Sequence, residues 1–405
     1  MDSRRPTALG ERFRLRTAST CTCERYLCAR RGYAVEPSWC VMMNGDTATS
    51  MLLWIIALFA LSFLMQELQI YRIVTEVENY LGIIRAARER ALLAAKEQVK
   101  RYSKPLNPEY VGMKIDKLIE TKIIAPTGLD PFGIVKKLKH VLLIGERALE
   151  SEVASLAPAA SPHEVQNLVV LVDIARSLNE IYKLLNHYYL IARRFKSLWL
   201  LMQLNAAMPF IIEEVRAVEG AIEAFKKSIP IGDSAGPFVA ALLMRKHGVQ
   251  YIVEPVKDTI VAKLAYSNKD VYVIKGKGPG GNTGHYDDAV AWVIQRAKPA
   301  VIITVDAALR YEGEVSGEVV HGFGVAIGGT GVEKYGIEEI AVKHSIPLYA
   351  VLIKMTEVEA LSVMTEEVYR GVREGVAVVE ELLESLPEGS SAIVVGVGNT
   401  VGVPP

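Results

Sequence analysis

The sequence predicts three parts in series: one N-terminal transmembrane helix, an all-α region, and an α/β domain whose mostly parallel sheet carries helices on both faces. Three observations indicate this fold class. An uncharged apolar run lies near the N-terminus, apolar residues at helical spacing follow it, and after Pro230 short β-branched runs alternate with helical ones. The predicted parts are a leader at residues 1–46, a transmembrane helix at 47–66, a helical region at 67–228 and the α/β domain at 229–405.

The leader is predicted to be a disordered basic segment. It is rich in arginine and holds all four cysteines of the chain, but it contains no CxxC pair. The alternative is that translation begins at Met42, Met43 or Met51 and that the arginine-rich segment before it is not part of the protein. Over the whole chain acidic and basic residues balance at 46 each, so no nucleic-acid partner is expected.

The predicted membrane anchor is a run of 20 residues without a charge, from Thr47 to Gln66. This length just suffices for a helix to cross a bilayer. Without the leader the nearest basic residues, such as Arg72 and Arg85, follow the run, so the positive-inside rule predicts a single-pass protein whose α/β domain is cytoplasmic. A genuine arginine-rich leader would favour the opposite orientation, and a buried core helix is the alternative to a span.

The middle region shows boundary signals for three helices. Each signal is a polar cap followed by proline, which suits the first helical position. The third helix also has a capping box that ends at Glu164, and it is expected to reach about Met202, with a break before Pro209. The three predicted starts are Asn107-Pro108, Asp130-Pro131 and Ser161-Pro162.

The α/β domain is predicted from alternating strands and helices. The predicted strands are 251–256, 271–274, 301–305, 347–353 and 392–397. The predicted helices are 234–247, 286–296, 332–344 and 357–386. Because this order is typical of βαβ units, the strands are expected to be mostly parallel.

Two aspartates are the candidate catalytic residues. Asp233 precedes a predicted helix in the run Gly232-Asp233-Ser234, and Asp306 ends the buried strand Val301–Val305. Groups at the carboxyl ends of strands face the crevice where ligands bind in open α/β sheets. Two carboxylates that share a crevice separate their pKa values and provide one acid and one base. The alternative is that each aspartate only caps a helix or a turn.

Two further elements carry candidate ligand-binding groups. A glycine-rich loop between a strand and a helix matches the context of a phosphate cradle, although Asn282 stands where a P-loop requires lysine. His321 lies in a second glycine-flanked segment and, with Asp233 and Asp306, could hold a divalent metal ion. The candidate ligand-binding residues of the first loop are Gly278, Gly280, Gly281, Asn282 and Thr283.

The C-terminal part resembles the germination protease of spore formers and the hydrogenase maturation proteases. The similarity lies in Gly-Asp-Ser-Ala-Gly-Pro at 232–237 and in Val305-Asp306-Ala307, which match the two aspartate segments of the germination protease. The resemblance implies catalytic roles for Asp233 and Asp306, and it implies the histidine place of the nickel-recognising proteases for His321. In those families the first aspartate segment directly follows a strand that reads like Val-Val-Gly-Ile-Gly-Asn. In this chain a nearly identical run lies at residues 394–399, close to the C-terminus. We therefore expect a circular permutation that brings Asn399 near Asp233, with an ordinary edge strand as the alternative.

The whole chain also resembles an archaeal membrane protein family known as domain of unknown function 1512. Its order of one short N-terminal span, a helical middle and this α/β domain carries the resemblance, which implies no activity.

Two functions follow as expectations. The first is a membrane-anchored, peptidase-like hydrolase that uses Asp233 and Asp306, with or without a divalent metal, on a peptide or small-molecule ligand. The alternative is a non-enzymatic sensor or scaffold whose glycine loops bind a phosphate-bearing or nucleotide ligand.

Overall fold

The computed structural model describes residues 45–122, 124, 126, 133–328 and 331–405. Residues 1–44 of the predicted leader, which include its four cysteines, lie outside the described residues, whereas residues 45 and 46 belong to the first helix. The helices are α1 Gly45–Arg101, α2 Pro108–Ile119, α3 Ile134–Leu156, α4 Pro162–Arg194, α5 Leu198–Lys227, α6 Ala235–His247, α7 Tyr286–Ile294, α8 Val332–His344, α9 Glu357–Leu361 and α10 Glu366–Glu384. The strands are β1 Tyr251–Val256, β2 Thr259–Tyr266, β3 Lys269–Gly276, β4 Val301–Leu309, β5 Val319–Phe323, β6 Leu348–Met355 and β7 Ser391–Gly396.

The predicted helix starts are confirmed where the structure describes them. The side chain of Asn107 accepts the Glu109 N–H at 2.8 Å at the start of α2. The Ser161 N–H donates to the Glu164 carboxylate at 2.7 Å at the start of α4, as the capping box requires. The predicted start at Asp130-Pro131 lies outside the described residues.

The predicted end of the third helix is wrong. The helix α4 already ends at Arg194, and Pro209 lies within α5 rather than at a break. The side chain of Ser197 accepts the Leu200 N–H at the start of α5, so a local cap separates the two helices. Apolar spacing continues through both helices, which is why periodicity alone did not reveal this boundary.

Two described helices are long and apolar enough to cross a membrane by length and composition. In the helix Thr49–Arg101 the most apolar window has a mean hydropathy of 2.0 and none of it is buried. In Leu198–Lys227 the corresponding window is less apolar and partly buried. The first is therefore a candidate membrane anchor. The contacts divide the chain into a unit that ends at Leu64 and a second unit from Met65 to Pro405.

The α/β domain has one seven-stranded sheet in the order β1-β2-β3-β7-β4-β6-β5. The central strands β3, β7, β4 and β6 are parallel, whereas β1, β2 and β5 join the sheet antiparallel. The sheet is thus mixed, and the prediction of a mostly parallel sheet is wrong. The difference arises from β2 and β5, which the sequence analysis did not identify as strands.

The last strand lies inside the sheet. β7 pairs with β3 on one side and with β4 on the other, so the alternative of an edge strand is wrong. The carboxyl ends of the adjacent strands β4 and β7 therefore meet at the same edge of the sheet. This edge is where an α/β sheet usually binds its ligands.

Both faces of the sheet are covered, as predicted. Buried apolar residues of α6 and α10 pack on one face, and those of α7 and α8 pack on the other. A separate core joins α1, α2, α4 and α5 in the helical region.

Candidate functional site

Asp306 is the sixth of the nine residues of β4 and is only 6 % exposed. Its Oδ1 accepts the Ala307 N–H at 2.8 Å, and its Oδ2 accepts the Gly328 N–H at 3.1 Å. These two donors fix the orientation of the carboxyl group. The side chain shares its face of the sheet with Ile302 and Thr304, which is the face that α7 and α8 cover.

Asp233 lies in the single 3-10 turn that precedes α6. Its Oδ2 accepts the Asn399 N–H at 2.8 Å, just beyond β7. The N-cap position of α6 belongs to Ser234, so Asp233 contacts the end of the neighbouring strand rather than capping its own helix. Asn399 is therefore beside Asp233, as the permutation hypothesis expected.

A close approach of α6 to the sheet places Asp233 there. A Cβ on Gly236 would lie 2.2 Å from the Val397 carbonyl oxygen and 2.3 Å from the Val305 carbonyl oxygen. Only glycine allows the first turn of α6 to rest on the ends of β4 and β7. This close approach explains why the second glycine of Gly-Asp-Ser-Ala-Gly-Pro, Gly236, is a glycine.

The two aspartates line one cavity of about 430 Å³. The ends of β4 and β7 contribute Asp306 and Val397, and the helix α3 of the helical region contributes Leu142 and Leu143. The cavity thus lies where the helical region covers the carboxyl edge of the sheet. Its size is in the range of small-ligand sites.

The surroundings of the two aspartates disfavour the state in which both carboxyl groups are ionised. Burial, followed by the negative charge of Asp233, raises the pKa of Asp306 well above its usual value, against the two backbone donors. Burial also raises the pKa of Asp233, against the hydrogen bond from Asn399. When two carboxyl groups interact, their protons leave in coupled steps that belong to the pair rather than to either residue.

Two acids that the sequence analysis did not single out line the same cavity. Glu146 comes from α3, and Glu333 comes from the first turn of α8. Burial, followed by the charge of Asp287, raises the pKa of Glu333 to about 8. Partial desolvation also raises the pKa of Glu146, although its residue remains exposed on one side. In the sequence both residues look like ordinary charged positions on exposed helices, so no local signal identified them.

The glycine-rich loop packs against other parts of the protein. The Gly281 N–H donates to Asn167 of α4 at 2.8 Å, and a Cβ on Gly281 would lie 2.5 Å from Phe225 of α5. A Cβ on Gly280 would lie 2.0 Å from Gln166, and one on Gly278 would lie 2.1 Å from the Val403 carbonyl oxygen. Close packing thus accounts for these three glycines.

The remaining loop residues have different environments. The Asn282 N–H donates to the Gly280 carbonyl oxygen, and its side-chain amide donates to Gln166. Thr283 lines the cavity of the two aspartates. Because the N–H groups of Gly281 and Asn282 already have acceptors, the contacts favour a packing role over the predicted phosphate cradle.

His321 does not join the two aspartates. It is exposed on the edge strand β5, and it pairs with Val351, which in turn pairs with Val305. Directly paired residues point to the same face of a sheet, so His321 points to the face opposite that of Asp306. Among the residues that the structure describes, no group of three or more His, Cys, Asp or Glu side chains is placed to hold a metal ion. The predicted ligand set is therefore not assembled.

Fold and site together define an α/β domain with an aspartate pair at the edge of two central parallel strands, closed off by a helical region. The chain belongs to the DUF1512 family. The N-terminal domain, described as "Protein of unknown function (DUF1512) N-terminal domain", matches residues 51–228, and the C-terminal domain of the same family matches residues 231–404. No curated protein matches the chain.

Proposed function

We propose that this protein is a hydrolase of the peptidase type, in which Asp233 and Asp306 act as an acid–base pair. The observation that carries the proposal is their common cavity: two acids 73 positions apart in the chain line it, and the charge of one raises the pKa of the other. Such a pair supplies one proton donor and one proton acceptor at neutral pH.

The proposed reaction uses both protonation states. The ionised carboxylate removes a proton from a water molecule, whose oxygen bonds to the substrate carbonyl carbon, while the protonated carboxyl group donates to the carbonyl oxygen. When the C–N bond breaks, the amine leaves with the proton taken from water, and a hydroxyl group of the intermediate returns its proton to the other aspartate. Asp306, as the more buried residue, is the initial donor.

The alternative, a phosphate-binding sensor, has less support. The N–H groups of Gly281 and Asn282 have acceptors within the protein, and the cavity of the two aspartates is lined by four carboxyl groups that would repel a phosphate. The similarity of the two aspartate segments to the germination protease, together with the position of Asn399, supports the peptidase-type reaction and the proposed permutation.

The test is hydrolysis of a mixed peptide library by the purified full-length chain, with products identified by mass spectrometry. Asp233→Asn and Asp306→Asn are each expected to lower the rate by about 10²-fold or more, since acid–base groups contribute factors of that size. Asp116→Asn is the matched control, because Asp116 is exposed on α2 and pairs with Lys96.

The outcome that contradicts the proposal is full activity in both cavity variants. Circular dichroism and thermal unfolding of each variant establish that a lost rate is not lost folding. A wild-type chain that leaves every peptide in the library intact also counts against a peptidase.

We further propose that the apolar start of α1 is a single-pass anchor and that the α/β domain faces the cytoplasm. The basic residues Arg72, Arg85 and Arg88 on the same helix support this orientation. Protease protection of a C-terminal tag in intact cells tests it. Digestion of the tag from outside would contradict it.

A further inference from the structure

The cavity is lined by more acidic than basic side chains. Asp233 and Asp306 lie at the sheet edge, while Glu146 on α3 and Glu333 on α8 supply two more carboxyl groups. The charge of Glu146 contributes to the raised pKa of Glu333, so these two acids are close enough to interact. The second pair comes from both the helical region and the α/β domain.

The basic residues of the cavity do not balance these acids. The Lys139 Nζ lies 2.7 Å from Asp287 Oδ2 and 3.1 Å from Asp288 Oδ2, so two aspartates outside the cavity lining already neutralise it. His285 Nδ1 is 4.0 Å from Glu333 Oε1, which is beyond a hydrogen bond. A ligand that brings a positive charge would therefore relieve an electrostatic imbalance in this cavity.

We propose that Glu146 and Glu333 bind the cationic side chain of a lysine or arginine residue in the substrate, and so determine specificity next to the aspartate pair. This inference rests on the proposed hydrolase function and names its substrate class: peptides with a basic residue beside the cleaved bond. Carboxylates hold guanidinium and ammonium groups through charge-assisted hydrogen bonds. The cavity volume of about 430 Å³ suits a side chain and its neighbouring peptide groups.

The protonation of Glu333 gives the binding a characteristic pH dependence. Because its pKa is about 8, Glu333 is largely protonated at neutral pH in the empty cavity. A bound cation favours the ionised carboxylate, so binding at neutral pH should release a proton, and affinity should rise as the pH approaches the pKa of Glu333. The titratable groups that interact with Glu333 are Lys139, Glu146, His285, Tyr286, Asp287 and Asp288.

Calorimetric titration tests the proposal in the Asp306→Asn background, which prevents cleavage during the measurement. The probes are two capped pentapeptides, Ala-Ala-Arg-Ala-Ala and Ala-Ala-Gln-Ala-Ala. The arginine peptide is expected to bind about tenfold more tightly or better, since hydrogen bonds to charged groups contribute differences of that order. Titrations in two buffers of different ionisation enthalpy measure the released proton.

Glu333→Gln is expected to remove most of the preference for the arginine peptide, together with the proton release. Glu146→Gln, on a different helix, should also lower the preference, so the proposal does not depend on the folding of one variant. Glu339→Gln is the control, because Glu339 is exposed on the same helix as Glu333.

Equal affinity for the two peptides, no binding of either, or an arginine preference that both glutamate variants retain would overturn the proposal. These results are separable from a failure of the proposed function. An arginine preference in a chain that cleaves no peptide would contradict the hydrolase function and support the binding site. Cleavage that depends on Asp233 and Asp306 but shows no preference for basic residues would support the hydrolase function and contradict the specificity.

Discussion

The contact between α6 and the sheet edge predicts a large effect of Gly236→Ala. The new Cβ would lie 2.2 Å and 2.3 Å from two carbonyl oxygens and 2.8 Å from the Val397 nitrogen, whereas ordinary contacts begin at 3.4 Å. All three neighbours are backbone atoms, of Val305 in β4 and of Val397 directly after β7, so they cannot move aside without disturbing the sheet edge. We expect a loss of at least about 3 kcal/mol in the free energy of unfolding, the upper end of overpacking costs.

Gly82→Ala is the matched control for this substitution. Gly82 lies within α1, and an added Cβ there meets no atom within 4 Å. Alanine in a helix interior is more favourable than glycine by about 1 kcal/mol, so the control should be neutral or slightly stabilising. Urea-induced unfolding, followed by circular dichroism, gives the midpoint for both variants. A Gly236→Ala midpoint equal to wild type would refute the proposed close approach that positions Asp233.

Two further predictions concern stability. Asn167→Ala should lower the free energy of unfolding by about 2 kcal/mol, because the buried Asn167 accepts the Gly281 N–H and donates to Ser228; a change below about 0.5 kcal/mol in urea unfolding would contradict this. The raised pKa of Glu333 means that the folded state binds its proton more tightly, so this contribution to stability is present below pH 4.5 and is lost as the pH rises through about 8. The thermal midpoint should therefore fall more between pH 5 and pH 9 in wild type than in Glu333→Gln, and an equal fall in both proteins would contradict the assignment.

The sequence was sufficient to locate both aspartates, because strong local patterns surround them. The run from Val301 to Val305 is apolar and mostly β-branched, and the structure has β4 there with Asp306 near its carboxyl end. The run Val394-Val395-Gly396 predicted the last strand. Its similarity to the strand that precedes the first aspartate segment in the germination and hydrogenase maturation proteases indicated that Asn399 would lie near Asp233. These predictions depended on short segments whose chemistry is local.

The missed strands had weaker but readable signals. β2 and β3 form a hairpin in which Tyr266 pairs with Lys269 across Ser267 and Asn268, both with positive φ. Two-residue hairpin turns favour residues such as asparagine, so Ser267-Asn268 could have predicted a hairpin at this place. β5 is an edge strand of the sheet with glycines in and around it, and such a sequence is compatible with either a loop or a strand.

The second pair of acids could not be predicted from the sequence. Glu146 and Glu333 belong to helices whose charges look solvent-exposed, and their shared cavity exists only because α3 lies against the sheet edge. The prediction that His321 joins the two aspartates was wrong for a related reason. Its distance from Asp306 in the chain is short, but the register of β5 against β6 turns it to the opposite face.

The most direct test of the account is the titration of the two aspartate carboxyl groups by ¹³C NMR in the folded protein. We predict that Asp306 keeps its proton well above the usual pKa of an aspartate, and that Asp233→Asn lowers the pKa of Asp306, because the neighbouring negative charge is gone. Two aspartates that both titrate near pH 4, or an Asp306 that titrates identically with and without Asp233, would contradict a shared cavity and an acid–base pair.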